Sequence, residues 1–548
     1  MKIIIVGAVA GGASAAARAR RLSEEAEIIL FERGHDPSFA NCGLPYYIGG
    51  EIAERQKLLV APKELLQQRF RLDVRTRTEV VSIDRENKTV TARDLETGLA
   101  STESYDKLIL SPGAKPFVPT VPGSDLPGVY TLRDLQDADR LLKIVTGDAK
   151  RAMIIGGGFI GLEMAENLVN RGIETTILEL GDQIMPPLDK EITQPILRKL
   201  REKGVQVRLC DTNKSIEATE QGLRVTFKSG DHQFADFVLL SVGVRPENSL
   251  AVDAGLEIGP RGGIKVNKNM QTADPDIYAV GDAVETYEFI TKKPTQVPLA
   301  GPANRQGRLA AEHIFGRAGV YRGTQGTAIV GLFGMSAAMT GFSEKAARRF
   351  DVPHKKVYIH PAHHAGYFPG AQGMTLKLLF SPEDGKILGA QGVGGEGVDK
   401  RIDIIAMAIQ AGMTVYDLEE VELSYAPQFG SAKDPVNMLG FVAAGVLRND
   451  QPIVHADQLG EEPWKEALLL DVRTPAEFES GHIEGAINIP VDDLRNRINE
   501  IPAEQTVVAY CKVGMRGYLA TRILLQNNRK AFNLSGGYTT WDLMQGDG

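Results

Sequence analysis

The chain has 548 residues, 43% hydrophobic and 24% charged, so at roughly 150 residues per domain it predicts three or four domains and excludes both one compact module and a disordered chain. Its 62 basic and 70 acidic residues leave a net charge of −8, which excludes recruitment of nucleic acid or an anionic membrane by bulk charge. Glycine, at 58 of 548 residues, is about 11% against a usual ~7%, an excess that suits many tight strand-to-helix turns.

The three cysteines, Cys42, Cys210 and Cys511, lie too far apart for a disulfide framework or a clustered metal site. A reducing, cytoplasmic setting is therefore expected, with no metal. Ile3–Val6 read as a strand and not as the apolar core of a signal peptide. The uncharged stretch 323–343 has the length of a membrane span, but five glycines together with Thr, Gln and Ser predict short packed strands instead.

The opening strand KIIIV runs into Gly7, Ala10, Gly11 and Gly12, then an Ala-rich helix, then the strand EIILF ending at Glu32. This is a dinucleotide-binding βαβ unit. Its glycines let backbone N–H groups approach a pyrophosphate, and its acid takes ribose hydroxyls. The pattern recurs about 150 residues later as RAMII (151–155), Gly156, Gly158, Phe159, Ile160 and Gly161, a helix from Leu162, and TTILE ending at Glu179. Two such units imply two dinucleotides on one chain. Between them lies YDKLILSPG (105–113), and beyond them DIYAVGDA (276–283) ends on a glycine and an acid.

Four segments in this order resemble the two-dinucleotide flavoprotein disulfide reductases, from Met1 to about Val446. The resemblance implies an α/β fold: an FAD domain over 1–115 and 246–320, an inserted NAD(P)H domain over 116–245, and an α+β dimerisation domain over 321–447. It implies FAD contacts at Gly7, Ala10, Gly11, Gly12, Glu32, Arg33, Asn41, Val80, Ser111, Gly113, Arg133, Gly281, Asp282 and Ala300. For the nicotinamide nucleotide it implies Gly156, Gly158, Phe159, Ile160, Gly161, Glu163, Glu179 and Gly243. A carboxylate at 179 bonds a free 2′-hydroxyl and repels a 2′-phosphate, so NADH is favoured over NADPH.

Cys42 lies in SFANCGLPYY (38–47). Dithiol reductases place a second cysteine five positions after the first, and Tyr47 stands there. A single thiol is left to form a mixed disulfide, a persulfide or a sulfenic acid. This stretch resembles the signature of CoA-disulfide reductases. The resemblance implies that Arg18, Arg21, Ser38, Asn41 and Lys433 grip coenzyme A, whose phosphates need cations. It also implies that Tyr367 in HHAGYFP and Tyr425 in SYAP reach the cysteine from the partner subunit of a homodimer. Where the family often has Tyr-Ala-Pro-Pro-Tyr, Gln428 and Phe429 follow Pro427 here. Related NADH oxidases and peroxidases carry a histidine in the first glycine loop; Ala10 occupies that place, and His35 lies beyond the second strand.

Residues 448–455 read as a polar linker. The remaining segment, 456–548, holds DVR (471–473), GHIEGAINIP (481–490), a strand ending in Cys511, and LSGG (534–537) followed by Trp541. This resembles the rhodanese family. Cys511 opens the loop Lys512, Val513, Gly514, Met515, Arg516, with a helix expected near Tyr518. A thiolate at a helix N-terminus beside Lys512 and Arg516 is expected to have a lowered pKa, as a sulfane-sulfur nucleophile needs. Asp471 and Arg473 are expected to brace the fold.

The reading is an FAD-dependent NADH reductase of CoA persulfide, CoA disulfide or polysulfide, fused to a sulfurtransferase. An NADH oxidase or peroxidase, or a non-enzymatic redox sensor, stand as alternatives, and the choice among the sulfur substrates stays open.

Overall fold

A computed structural model describes residues 1–546, which form two compact units: Met1–Asp182 with Gly204–Gly326, and Gln183–Lys203 with Thr327 onward. No helix among the described residues is long and apolar enough to cross a membrane.

The first unit contains the same architecture twice. Lys2–Val6 is the middle strand of a parallel sheet ordered Ile277–Ala279, Lys107–Leu110, Lys2–Val6, Glu27–Phe31, Asp73–Arg75. Arg151–Ile155 occupies the same place in a sheet ordered Gln206–Arg208, Glu174–Leu178, Arg151–Ile155, Phe237–Leu240, Val129–Tyr130. The central strands are buried on both faces, which is why they read as unbroken apolar runs and not as alternating ones. Each sheet is accompanied by a three-stranded antiparallel sheet, built from Thr78–Asp84, Thr89–Asp94 and Ala100–Ser104 in one case and from Asn213–Thr219, Gly222–Phe227 and His232–Ala235 in the other.

The glycine spacing has the same steric cause in both repeats. A Cβ on Gly12 would stand 1.8 Å from the Gly7 carbonyl oxygen, and one on Gly161 would stand 2.1 Å from that of Gly156. Helix and strand can pack this closely only with hydrogen at those positions. The second helix spans Phe159–Asn170 and so begins three residues before the expected Leu162. Gly158 serves as its extended N-cap and lets the chain turn directly into it.

The second unit holds an antiparallel sheet ordered Ala328–Leu332, Met335–Gly341, Ile387–Gly394, Met374–Phe380, Lys355–Ile359. The uncharged 323–343 stretch thus supplies two of its strands. A parallel sheet follows, ordered Ile453–Val454, Ala531–Leu534, Val507–Tyr510, Leu468–Asp471, Ile487–Asn488.

Two boundaries differ from expectation. The segment 183–203, expected within 116–245, belongs to the second unit, because Asp189 and Glu191 both reach the fully buried ammonium of Lys377, at 2.8 and 2.7 Å. The linker expected over 448–455 is largely packed. Ile453–Val454 is already an edge strand, Gln451 is buried, and Arg522 Nη1 donates to the Asp450 carbonyl at 2.8 Å.

Candidate functional site

At the C-terminal edges of the two parallel sheets in the first unit, the acids do equivalent work. Glu32 accepts from Ala8 N at 2.8 Å and Gly34 N at 2.7 Å. Glu179 accepts from Gly157 N at 2.7 Å and Gly181 N at 2.8 Å. Each carboxylate therefore pins the turn after the first glycine of its loop. The helices Ala10–Leu22 and Phe159–Asn170 begin without a side-chain cap, which leaves their N-terminal amides to a pyrophosphate. Arg133 Nη1 is buried without a partner, while its Nη2 donates to the Pro112 carbonyl at 3.3 Å. A buried guanidinium with one unsatisfied nitrogen beside Pro112 and Gly113 fits an anionic dinucleotide. Gly281 N donates to Gln306 Oε1 at 2.8 Å, and Ala300 opens the helix Ala300–Ile314. Val80 is buried, whereas Arg33, Ile160 and Gly243 are exposed.

Cys42 sits in a short 3-10 turn, Asn41–Gly43, ahead of the helix Leu44–Gly49. It is exposed, yet enough protein crowds the sulfur that desolvation is the largest cause pushing its thiol pKa up. The carboxylates of Glu163 and Asp282 push the same way, against a backbone hydrogen bond. Asp282 is itself pushed up by burial, with Arg133 opposing, and burial also raises Glu163, against a hydrogen bond from Tyr46 at 3.2 Å. Tyr47, at the place of a second thiol, is buried and donates to Asp139 at 3.2 Å. Asn41 Nδ2 donates to the Arg133 carbonyl at 3.3 Å, and Ser38 has a positive φ of 49°.

On the first helix Arg21 is exposed. Arg18 is half-buried and paired with Glu312 at 2.6 Å, its Nε buried without a partner. Arg20 is structural: its guanidinium is bonded to the carbonyls of Phe70, Ser23, Glu24 and Arg71. Arg171 gives its Nε to the Ile48 carbonyl and so stays away from Glu179.

In the second unit, the hydroxyls of Tyr367 and Tyr425 meet at 2.7 Å although the rings are 76% and 48% exposed. The sequence named both tyrosines but not their pairing. Lys433 is exposed and lines an open recess of about 450 Å³ with His364 and Met438. The loop carrying Tyr367 is held at its base. Gln372 N donates to His363 Nδ1 at 3.0 Å, His363 and His364 share a 2.6 Å hydrogen bond, and His364 Nε2 lies 3.2 Å from the Phe368 carbonyl.

Cys511 is 1% exposed, and its Sγ accepts from Gly514 N at 3.2 Å. The helix that follows is Met515–Gln526, three residues earlier than expected, because Gly514 takes φ +99° and turns the loop straight into it. Arg516 does not stand free beside the sulfur. Its Nη1 and Nη2 meet Glu477 at 2.8 and 2.7 Å. Glu477 was missed by sequence reasoning, although Thr474-x-x-Glu477 is a legible capping box. Lys512, Val513 and Met515 are exposed. Asp471 and Arg473 form the expected brace, fully buried with a 2.6 Å contact.

Two dinucleotide folds, one exposed thiol subject to the carboxylates of Glu163 and Asp282, and a second, buried thiol that accepts from the Gly514 amide define a nucleotide-dependent sulfur oxidoreductase with an attached sulfurtransferase-type domain. Residues 1–307 match the pyridine nucleotide-disulphide oxidoreductase model, 327–434 its dimerisation domain, and 455–543 the rhodanese-like domain. The chain belongs to the pyridine nucleotide-disulphide oxidoreductases. It is 37% identical over 444 residues to the coenzyme A disulfide reductase of Staphylococcus aureus (strain JH9), covering 81% of this chain and 99% of that protein. Among solved structures, the reduced CoADR-RHD of Bacillus anthracis is similar at 47% identity and TM-score 0.97, covering 99% and 98% of the two chains. The NAD-dependent persulfide reductase from A. fulgidus is similar at 36% identity and TM-score 0.93, covering 99% and 100%. The water-forming NADH oxidase from Lactobacillus brevis shares 29% identity at TM-score 0.79, over 82% of this chain and 99% of that one.

Proposed function

We propose that this protein is an FAD-dependent, NADH-consuming reductase of CoA persulfide, CoA disulfide or polysulfide that works through one redox-active cysteine, with a rhodanese domain that delivers or accepts sulfane sulfur. The observation that carries this reading is Cys42 with Tyr47, not a thiol, five residues on. Tyr47 is buried and bonded to Asp139. An internal disulfide is impossible there, so the substrate's own sulfur must become the partner of Cys42.

The Cys42 thiolate attacks one sulfur of R–S–S–R′, forms Cys42–S–S–R and releases R′S⁻. Bound FAD supplies two-electron reduction of sulfur at the expense of NADH. Glu32, the amides of the first glycine loop, Arg133 and Asp282 hold it; Glu179 and the second loop hold NADH. Arg18, Arg21, Ser38, Asn41 and Lys433 are assigned to the phosphates and pantetheine arm of CoA. In a homodimer, Tyr367 and Tyr425 of the second subunit are assigned to the leaving thiolate, to which a phenol donates a hydrogen bond. At the other end of the chain, Cys511 takes up sulfane sulfur.

The test is anaerobic NADH oxidation with CoA persulfide and with CoA disulfide, in wild type and in Cys42→Ser. The variant should bind FAD and fall below a tenth of wild-type turnover with either substrate. Higher residual turnover would remove the single-cysteine mechanism.

A further inference from the structure

The loop that opens at Cys511 carries two cations, Lys512 and Arg516, and Arg516 is engaged on both terminal nitrogens by the two oxygens of Glu477, at 2.8 and 2.7 Å. Glu477 is not a swinging side chain. Its Oε2 also accepts from the backbone N and the hydroxyl of Thr474, both at 3.1 Å, and Thr474 Oγ1 accepts from Glu477 N at 3.3 Å. The helix Pro475–Glu479 thereby holds the carboxylate in place. A hydrogen bond from Arg516 is the largest cause that brings the Glu477 carboxyl down to about 2, so the pair stays fully ionised at neutral pH. Arg516 is raised chiefly by the same hydrogen bond, with Cys511, five residues earlier at the start of the same loop, a lesser contributor. Of the other charges nearby, Lys512 is exposed, and Asp471 and Arg473 cancel each other in the interior. Three apolar side chains, Val513, Met515 and Leu519, are exposed on the loop and its helix, next to the exposed Lys512.

We propose that Glu477, by holding Arg516 in a bidentate ion pair beside Cys511, restricts the sulfurtransferase site to thiol persulfides and turns it away from thiosulfate. The inference rests on the assignment of Cys511 as the sulfur acceptor. With a persulfide, the Cys511 thiolate attacks the outer sulfur of R–S–SH, the S–S bond breaks, Cys511–S–SH forms and RS⁻ departs. With thiosulfate, the same attack gives Cys511–S–S⁻ and expels sulfite, a dianion that must be accommodated in the loop. A dianion set among apolar side chains beside an already neutralised arginine loses hydration with only the exposed Lys512 to compensate. The organic body of a persulfide suits the same rim.

The experiment measures thiocyanate formation from cyanide by the full-length, FAD-loaded protein, with glutathione persulfide and with thiosulfate as donors. Wild type should favour the persulfide in kcat/KM by at least about tenfold. Glu477→Gln frees the arginine's charge and should raise the thiosulfate-to-persulfide ratio at least about tenfold, an increase that shrinks as ionic strength rises. Arg516→Gln leaves the carboxylate bare and should move the ratio the other way. A wild type that uses both donors equally, or a ratio that neither substitution moves, overturns the proposal. Cys511→Ser separates the two levels of argument: persistence of transfer in that variant removes Cys511 as acceptor, whatever Glu477 does.

Discussion

Lys356 Nζ lies 2.9 Å from Asp457 Oδ2, and this ion pair joins the antiparallel sheet of the second unit to its rhodanese-like domain. Lys356 is almost wholly buried and also contacts both oxygens of Glu344 at 3.0 Å. Glu344 leads on to Lys377, which is wholly buried and 2.7–2.8 Å from Asp189, Glu191 and Glu344. The rhodanese domain is therefore anchored to a buried network of alternating charge. His360 Nε2 to Thr540 Oγ1 at 2.8 Å and Arg198 to Asp542 at 2.9 Å add further contacts.

Removing the central cation should be severe. Lys377→Met leaves three buried carboxylates without their main partner, a class of change that costs about 3–5 kcal/mol. Burial opposes ionisation of Glu344, yet Lys377 and Lys356 together bring it to about 2, and Lys377 leads the causes that lower Asp189 against its own burial. In wild type these groups contribute stability above their ordinary range, and it is lost as pH falls toward about 2. In the variant the sign reverses: the unpaired carboxylates are relieved by protonation, so its deficit should narrow as pH falls from 7 to about 4. Both tryptophans, Trp464 and Trp541, lie in the rhodanese domain and report urea unfolding there. A deficit under about 1 kcal/mol at pH 7, or one independent of pH, would falsify this account.

Glu179 should make NADH the better reductant by at least about tenfold in kcat/KM, equivalent to about 1.4 kcal/mol. Its carboxylate is buried and held by two backbone amides, so it cannot rotate away from a 2′-phosphate. Arg171 is committed to the Ile48 carbonyl, and Arg208 stacks on Phe227 and pairs with Asp231. Neither is left to bind that phosphate. Glu179→Ser should bring the two nucleotides closer together, and parity in the wild type removes Glu179 from this role.

The parts of the molecule that the sequence discloses are those with short-range causes. Gly12 and Gly161 are required by the carbonyls of Gly7 and Gly156, five residues back, and Glu32 and Glu179 end strands whose apolar runs are unmistakable. Cys42, Tyr47 and Cys511 stand out in the sequence through the family motifs that surround them. What remained hidden depends on contacts between distant segments. Lys377 reads as a surface residue until Asp189 and Glu191, nearly 190 positions away, fold onto it. Residues 183–203 carry nothing in their own pattern that says which unit they join. The pairing of Glu477 with Arg516 spans 39 positions, and only the capping role of Glu477 is local.

The last prediction concerns the two thiols. Cys42 has two dinucleotide folds within its own unit, whereas Cys511 has an amide from Gly514, a neutralised arginine and a rim of Lys512 and apolar side chains. Nothing in the Cys511 loop supplies electrons, so Cys511 should handle sulfane sulfur and be dispensable for NADH oxidation. Cys511→Ser should abolish sulfur transfer to cyanide or thiol, while NADH-dependent reduction of CoA disulfide stays within a few-fold of wild type. Cys42→Ser should do the opposite. The packed segment 448–455, with Gln451 buried and Ile453–Val454 in the sheet, ties the rhodanese domain down more firmly than a flexible tether would. Sulfur is then expected to travel as a small persulfide between sites. Matched steady-state assays of both variants with CoA persulfide decide the question. If Cys511→Ser stops NADH turnover as completely as Cys42→Ser does, the two cysteines form one obligatory relay and the division of labour is wrong.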